Sequence, residues 1–214
     1  METIPLLGFL TVIDHPRSGF IGGLLVLNPV GRPVEFHCTA SLRPNRAQEI
    51  LFGNALEPYL FGEQIAQALV RKAQAKISFF FTDSPGVLAL QDFVEQPLIF
   101  VPQSELVNEP SVSEMPAEEG SEKQHLPDNR DLFSFSTKKN NVKRRFEPLR
   151  SIPGLSVHRW KETQIANMPL WIPDDRNLAI SAVVEKLNDY TRSIDFGEPF
   201  SRIRLALDEA QKAA

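Results

Sequence analysis

Residues 8–39 read GFLTVIDHPRSGFIGGLLVLNPVGRPVEFHCT, and apolar runs alternate here with clusters of turn-forming residues. The apolar runs lie at 8–14, 20–27 and 32–39. The cluster between the last two runs, Asn28-Pro29-Val30-Gly31, has the residues that favour a type I turn at its first, second and last positions. The pattern therefore predicts an antiparallel meander of three strands in the N-terminal half.

The third run alternates apolar and polar residues with a period of two. Successive strand side chains point to opposite faces. Val34, Phe36 and Cys38 therefore share one face of the strand, and Glu35, His37 and Thr39 share the other. We expect the apolar face to be buried, with Cys38 as a small core residue. Gly22 and Gly23, inside the second run, predict a bulge or the close approach of another element.

Helical periodicity follows the meander, and the pattern then returns to strands. Asn45, with a glutamine three residues later, predicts a capped helix that ends near residue 52. Apolar residues at four-residue spacing predict a second helix over about 61–73. Residues 76–82 and 98–101 are predicted strands, and the first is apolar enough to be buried on both faces. Residues 87–93 fit either a short helix or a strand.

The fold class predicted from these elements is α+β, in three parts. Residues 1–103 form a globular domain whose sheet is mostly antiparallel, with one or two helices. Residues 104–150 have no apolar period and polarised charge, which predicts a disordered linker. Residues 151–214 contain a short strand near 155–160 and a proline-bounded apolar plug at 169–173. Two amphipathic helices follow and form a helical hairpin that docks in cis or in trans.

Composition narrows the functional classes. The net charge of −4 gives the chain no overall field that would attract nucleic acid or an anionic membrane. Cys38 is the only cysteine, which excludes an intrachain disulfide and a cysteine-rich zinc site. The N-terminus lacks the positive start of a secretory signal, and no apolar run approaches eighteen residues. We therefore expect a cytoplasmic location, no membrane partner and no cofactor.

Two arrangements of residues near the meander suggest chemistry. A Cys38 thiol beside His15 or His37 would resemble an activated nucleophile, but adjacent strand residues such as His37 and Cys38 point apart. Glu35 and His37 share a face and, with Asp14 or His15 as a third ligand, could bind a metal. A solvated polar strand face is the commoner reason for such a pair, so we predict no catalytic residue and no metal.

Arg43 and Arg46 lie around the start of the first predicted helix. A helix N-terminus with two arginines could hold an anion such as phosphate, although the loop lacks the glycines that cradle phosphate. Together with Glu35 and His37, these arginines define a candidate ligand-binding or enzymatic site.

The predicted linker carries a basic block from Lys138 to Arg150, with phenylalanines inside and just before it. Its candidate nucleic-acid contacts are Lys138, Lys139, Lys143, Arg144 and Arg145. Lysine and arginine beside aromatic rings can bind phosphates and stack on bases. The block can equally pair with the acidic first half of the linker.

These observations leave three functions open. The lack of a coherent catalytic set and the detached amphipathic helices favour a non-catalytic interaction or scaffold protein. Its C-terminal helices would bind a protein partner or a second copy of the chain. The first alternative is nucleic-acid association through Lys138–Arg150. The second is a small-ligand or enzymatic site near Glu35, His37, Arg43 and Arg46.

Overall fold

The computed structural model describes residues 5–102, 160–165, 168–174, 180–188 and 194–212. Its strands are β1 (Leu6–His15), β2 (Gly19–Leu27), β3 (Pro33–Cys38), β4 (Ile77–Thr82), β5 (Leu98–Phe100), β6 (Trp160–Ile165) and β7 (Met168–Pro173). They form one seven-stranded sheet in the order β3-β2-β1-β4-β5-β7-β6. The chain is therefore a mixed α+β protein, and the predicted fold class is confirmed.

The helices lie on both faces of this sheet. They are α1 (Arg46–Phe52), α2 (Leu56–Pro58), a π-helical segment (Tyr59–Ala66), α3 (Gln67–Lys72), α4 (Ile180–Asn188) and α5 (Glu198–Lys212), with 3₁₀ turns at Gly53–Ala55 and Pro85–Phe93. From α2 to α3 the helical path is continuous, and we call residues 56–72 the central helix. The segment that fitted either a helix or a strand is thus a 3₁₀ helix.

The predicted meander is confirmed. β1 pairs antiparallel with β2 from Leu7↔Leu27 to His15↔Gly19, and β2 pairs antiparallel with β3. In the tight turn between β2 and β3, the Gly31 N–H donates to the Asn28 carbonyl at 2.9 Å. Gly31 has φ 77°, a left-handed conformation that glycine adopts without steric cost.

β4 and β5 run parallel to β1, in contrast to the other neighbouring pairs. Parallel strands need a crossover, and the helical segments 46–72 and 85–93 provide the two crossovers here. Because β4 lies in the middle of the sheet, five of its six residues are buried, as its apolar sequence predicts. The carboxyl ends of β1 and β4 consequently meet at one edge of the sheet, which we call the carboxyl edge.

The C-terminal segment extends the same sheet. The predicted plug at 169–173 is strand β7, which pairs antiparallel with β6 on one side and joins β5 through Phe100↔Trp171 on the other. The sequence pattern did not reveal this hairpin, because prolines at both ends of β7 argue against a strand inside a sheet. Most of the predicted strand at 155–160 lies outside the described residues.

Two apolar layers cover the sheet. On one face, α5 packs across β1 and β2, and stacked rings continue the layer: Phe9–Phe81 centroids are 4.9 Å apart and Phe81–Phe196 centroids 4.8 Å. On the other face the central helix inserts Ile65 and Leu69. Gly22 and Gly23 are where the two layers come nearest to β2.

Adjacent glycines let helices approach β2 from both sides. A Cβ on Gly22 would overlap Ile65 Cγ2, and a Cβ on Gly23 would overlap Ile203 Cγ2. The pairing of β1 with β2 continues through both glycines without a bulge. The structure therefore supports the close approach of the two helices, and not a bulge, as the reason for these glycines.

The predicted intermolecular role of the C-terminal helices is wrong. The apolar stripe of α5, Phe200, Ile203 and Leu207, is buried against its own sheet, and Val183 and Leu187 of α4 belong to the same core. Amphipathic periodicity shows that a helix has a covered face, but it does not show which chain covers that face.

The predicted burial of the apolar face of β3 is also wrong. Val34 is 49% exposed and Phe36 40% exposed, and Cys38 is exposed as well. α5 lies over β1 and β2, so it leaves the outer strand uncovered. Cys38 is therefore not a core residue.

The predicted linker at 104–150, with all five lysine and arginine candidates, lies outside the described residues. In the described part, none of the helices combines the length and the hydropathy that a transmembrane span requires.

Candidate functional site at the carboxyl edge

Glu35 and His37 form a hydrogen-bonded pair on the face of β3 that the central helix covers. His37 Nε2 lies 3.0 Å from Glu35 Oε2, and the same carboxylate oxygen accepts the Gln74 backbone N–H at 3.1 Å. The hydrogen bond from His37 is the main cause that lowers the pKa of Glu35, and backbone hydrogen bonds from Gln74 and Ala75 add to it. The pair thus holds β3 to the segment that follows α3.

Arg43 and Arg46 lie at the other end of the meander. Glu35 is opposite Val26 on β2, whereas Leu42, just before Arg43, bridges Phe20 at the start of β2. At about 3.3 Å per strand residue, this register separates the two pairs by roughly 20 Å. The structure therefore does not bring the four predicted ligand residues into one pocket, and binding by either pair alone stays a prediction.

The other candidate ligands near the meander are also apart. Asp14 and His15 end β1 and pair with Phe20 and Gly19, far along the strand from Glu35. His15 Nδ1 is 3.1 Å from Ser18 Oγ. Within the described ranges, no three histidine, cysteine, aspartate or glutamate side chains gather as a metal-binding group.

The predicted cap of the first helix is confirmed. The Asn45 side chain accepts the Gln48 N–H, and the Gln48 side chain accepts the Asn45 N–H, both at 2.9 Å. In the first turn of α1, the Arg46 guanidinium forms a salt bridge with the Glu49 carboxylate at 3.0 Å. This capping box fixes the loop that carries Arg43.

Two loops meet at the carboxyl edge and bring arginines together. Phe20 and Leu42 exchange backbone hydrogen bonds of 2.9 and 2.8 Å, which hold the loop before α1 against the turn between β1 and β2. From this position Arg43 Nη2 donates to the Arg17 carbonyl oxygen. Gly19, with φ 93°, lies beneath Arg43 and leaves room for its side chain. Arg17 and Arg43 are both exposed.

A buried carboxylate lies at the same edge, just after β4. The Asp83 side chain is 1% exposed; its Oδ1 accepts the Thr11 hydroxyl at 2.7 Å and the Ser84 hydroxyl at 3.2 Å. Its Oδ2 accepts Arg204 Nη2 of α5. The Arg204 side chain is 39% exposed, so Asp83 fixes an arginine that still reaches the solvent.

Sequence reasoning missed the Asp83–Arg204 pair. The position of Asp83 directly after a strand was visible, but the stretch read only as a turn. Its partner lies 121 residues further along, on a helix whose docking site was unknown. The parallel pairing of β1 and β4 is what brings Thr11 beside Asp83.

The last turn of α5 connects these elements. Ser18 Oγ donates to Gln211 Oε1 at 3.2 Å, which places the end of α5 beside the Arg17 turn. Arg204 is seven residues before Gln211, or roughly 10 Å along the helix. Arg204, Arg17 and Arg43 therefore lie along one edge of the sheet, where open α/β sheets bind their ligands. Such a row of guanidinium groups can bind anions, above all phosphates.

No protein-family model matches this sequence, and no curated protein is similar to it. The similar solved structures include two of Ciona intestinalis endonuclease V. One is a variant in complex with a 23mer DNA containing an inosine followed by a ribo-adenosine; it has 12% identity and a TM-score of 0.39, over 88% of this chain and 78% of that chain.

The second is endonuclease V with a 24mer DNA of the same description, with 16% identity and a TM-score of 0.41, over 100% of this chain and 89% of that chain. Both similar structures contain DNA, which is a different class of partner from the protein predicted for this chain. The values are too low to assign a function, which has to be inferred from the chain's own residues.

Proposed function

We propose that this chain associates with nucleic acid through the arginines of its carboxyl edge, with the basic block Lys138–Arg150 as a second contact. The observation that supports this proposal is the convergence of Arg17 and Arg43 from separate loops. Arg204 extends the same row from α5. A scaffold role is not proposed, because the helices on which it depended pack on their own sheet.

The two loop arginines suit phosphate contacts. Both are exposed, and in the described part of the chain neither guanidinium is held by a carboxylate. The Phe20–Leu42 bridge and the capping box fix the loops, so less side-chain and loop entropy is lost on binding. Guanidinium groups bind phosphate oxygens in bidentate fashion. The edge can therefore bind a backbone although the net charge of the chain is −4.

The basic block adds charge to the same molecule. It contributes lysines and arginines with Phe146 among them, a composition that contacts phosphates and stacks on bases. Two linked contacts on one chain raise the overall affinity above that of either alone. The proposal rests on these residues and not on the DNA in the endonuclease V structures.

Salt-dependent binding of labelled oligonucleotides tests the proposal. We expect fluorescence anisotropy to show binding of single-stranded DNA or RNA at 50 mM salt that weakens steeply as salt rises. The double variant Arg17→Ala/Arg43→Ala should reduce the slope of log K against log salt by about 1.4, since each phosphate contact to a single strand contributes about 0.7. The triple variant of Lys143, Arg144 and Arg145 should also reduce the slope.

A matched control is available at the opposite end of the molecule. Arg71 and Lys72 are exposed in the last turn of α3, near Glu35 and far from the carboxyl edge. Their double alanine variant removes the same charge and should leave the slope unchanged. The proposal is overturned if wild type does not bind at 50 mM salt, or if this control weakens binding as much as the carboxyl-edge variant.

A further inference from the structure

Strand β3 is a free edge of the sheet with an exposed apolar row. It lies at one end of the strand order and pairs only with β2 among the described strands. Val34, Phe36 and Cys38 face the side of the sheet that carries α5, and all three are exposed. Natural edge strands usually carry lysine, proline or a bulge that prevents pairing; β3 has Pro33 and a register shift beside Val34 at its start, whereas Glu35–Cys38 has none of these.

Phe36 and Cys38 also present their backbone outward. The Thr39 N–H donates to the Gly22 carbonyl at 3.0 Å, so Thr39 is bonded towards β2. Bonding alternates along the regular part of this antiparallel pairing, from Gly23↔Cys38 to Val26↔Glu35, which directs the N–H and C=O groups of Phe36 and Cys38 away from β2. The outer edge of β3 thus offers two donors and two acceptors at regular spacing, and Val34 lies beside the register shift.

We infer that a second copy of this chain pairs with β3, antiparallel and centred on Phe36. In this register Phe36 lies opposite Phe36 of the partner subunit, and Val34 lies opposite Cys38 of the partner subunit. The outward backbone groups of Phe36 then exchange hydrogen bonds across the symmetry axis, and those of Cys38 face Val34 of the partner subunit. The aromatic and aliphatic pairs bury the row that the single chain leaves exposed.

The polar face of β3 is complementary in the same register. Glu35 lies opposite His37 of the partner subunit, so each carboxylate faces an imidazole rather than a like charge. An antiparallel pairing centred on Glu35 would set two carboxylates against each other, which is unfavourable. The charges on this face of β3 therefore favour the register centred on Phe36.

The helices leave room for this pairing. The symmetry axis is perpendicular to the sheet, so both copies of α5 lie on the same side. Each α5 lies over β1 and β2, which places the two helices four strand spacings apart, or about 19 Å. A helix with its side chains is about 10 Å wide, so a groove lined by the β3 row and the exposed Leu205 separates them. The contact is independent of the carboxyl-edge arginines.

Association should be weak and depend on concentration, because a six-residue edge forms a small interface. Sedimentation or light scattering up to 1 mM should show a shift from the chain mass of 24.1 kDa towards twice that mass. Phe36→Lys places like charges opposite each other and should raise the Kd about tenfold or more. Leu51→Lys, a still more exposed apolar position on α1, is the control and should have no effect.

Cross-linking tests the register. Residues opposite each other in a hydrogen-bonded pair have Cα atoms about 5.5 Å apart, within disulfide range. In Val34→Cys, oxidised glutathione should therefore give a covalent dimer linked from residue 34 to Cys38. Cys38 cannot reach its own copy, roughly 13 Å away along the strand. Val30→Cys, in the exposed turn before β3, should cross-link far more slowly.

Three results would overturn the inference. The first is a wild-type chain that stays at its monomer mass at 1 mM. The second is equal cross-linking of the residue 34 and residue 30 variants. The third is a large drop in the melting temperature of the monomeric Phe36→Lys variant, because the row would then be covered within the chain.

Discussion

Gly23→Ala tests the packing of α5 on the sheet. The added Cβ would lie within 3.0 Å of Ile203 Cγ2 and 3.3 Å from Leu207 Cδ1. Carbon atoms pack favourably at about 3.5–4.0 Å, so β2 and α5 must move apart by at least about 0.5–1 Å. Such overpacking costs about 1–3 kcal/mol, offset in part by about 0.5–1 kcal/mol because alanine is better than glycine inside a strand.

We therefore expect Gly23→Ala to lower the free energy of unfolding by about 1–2 kcal/mol, or the melting temperature by about 2–8 °C for a chain of this size. Urea denaturation followed by circular dichroism measures the change. Ile203→Leu removes the clashing Cγ2 while keeping the side-chain volume, so it should recover part of the loss in the double variant.

Gly197→Ala is the control, because its Cβ would meet only Asp195 Oδ1 at 3.4 Å. It should change the free energy of unfolding by less than about 0.5 kcal/mol. If Gly23→Ala is as neutral as this control, α5 does not pack on β2 as described.

Three further substitutions address the rest of the fold. Asp83→Ala should cost about 2–4 kcal/mol in urea denaturation, because it leaves the buried Thr11 hydroxyl without its acceptor; a double-mutant cycle with Arg204→Ala should show coupling between the two. Phe200→Ala should cost about 3–5 kcal/mol by the same measurement, since Phe200 is fully buried. The pKa of Glu35 is lowered in the folded chain, so its contribution to stability is present above its ordinary value of 4.5 and is lost as the pH falls through the folded pKa. Glu35→Gln should therefore flatten the loss of stability as the pH falls below 4.5 in acid titrations at fixed urea, and an unchanged acid profile would contradict this.

Local signals predicted the local parts of the fold. The meander, the turn at Asn28–Gly31 and the capping box around Asn45 depend on residues within a few positions of one another, and all are present. The strand at 77–82 was recognisable because a parallel strand buried on both faces is continuously apolar.

Contacts between distant segments could not be read in the same way. The periodicity of β3 correctly predicted which residues share a face. Whether that face is buried depends on which strands α5 packs against, and the sequence of β3 does not show this. The periodicity of α5 likewise left its partner open. The row of arginines at the carboxyl edge depends on the Phe20–Leu42 bridge and on the docking of α5. Neither contact produces a recognisable pattern in the sequence around these arginines.

The sheet is completed by strands from both sides of residues 103–159, because β5 precedes that stretch and β6 and β7 follow it. The entropy of closing a loop grows only with the logarithm of its length, so halving or doubling such a connection changes stability by about 0.6 kcal/mol. We therefore expect the linker predicted at 104–150 to gain, lose or exchange residues over evolutionary time with little effect on the sheet. Selection on its charges can proceed separately from selection on the fold.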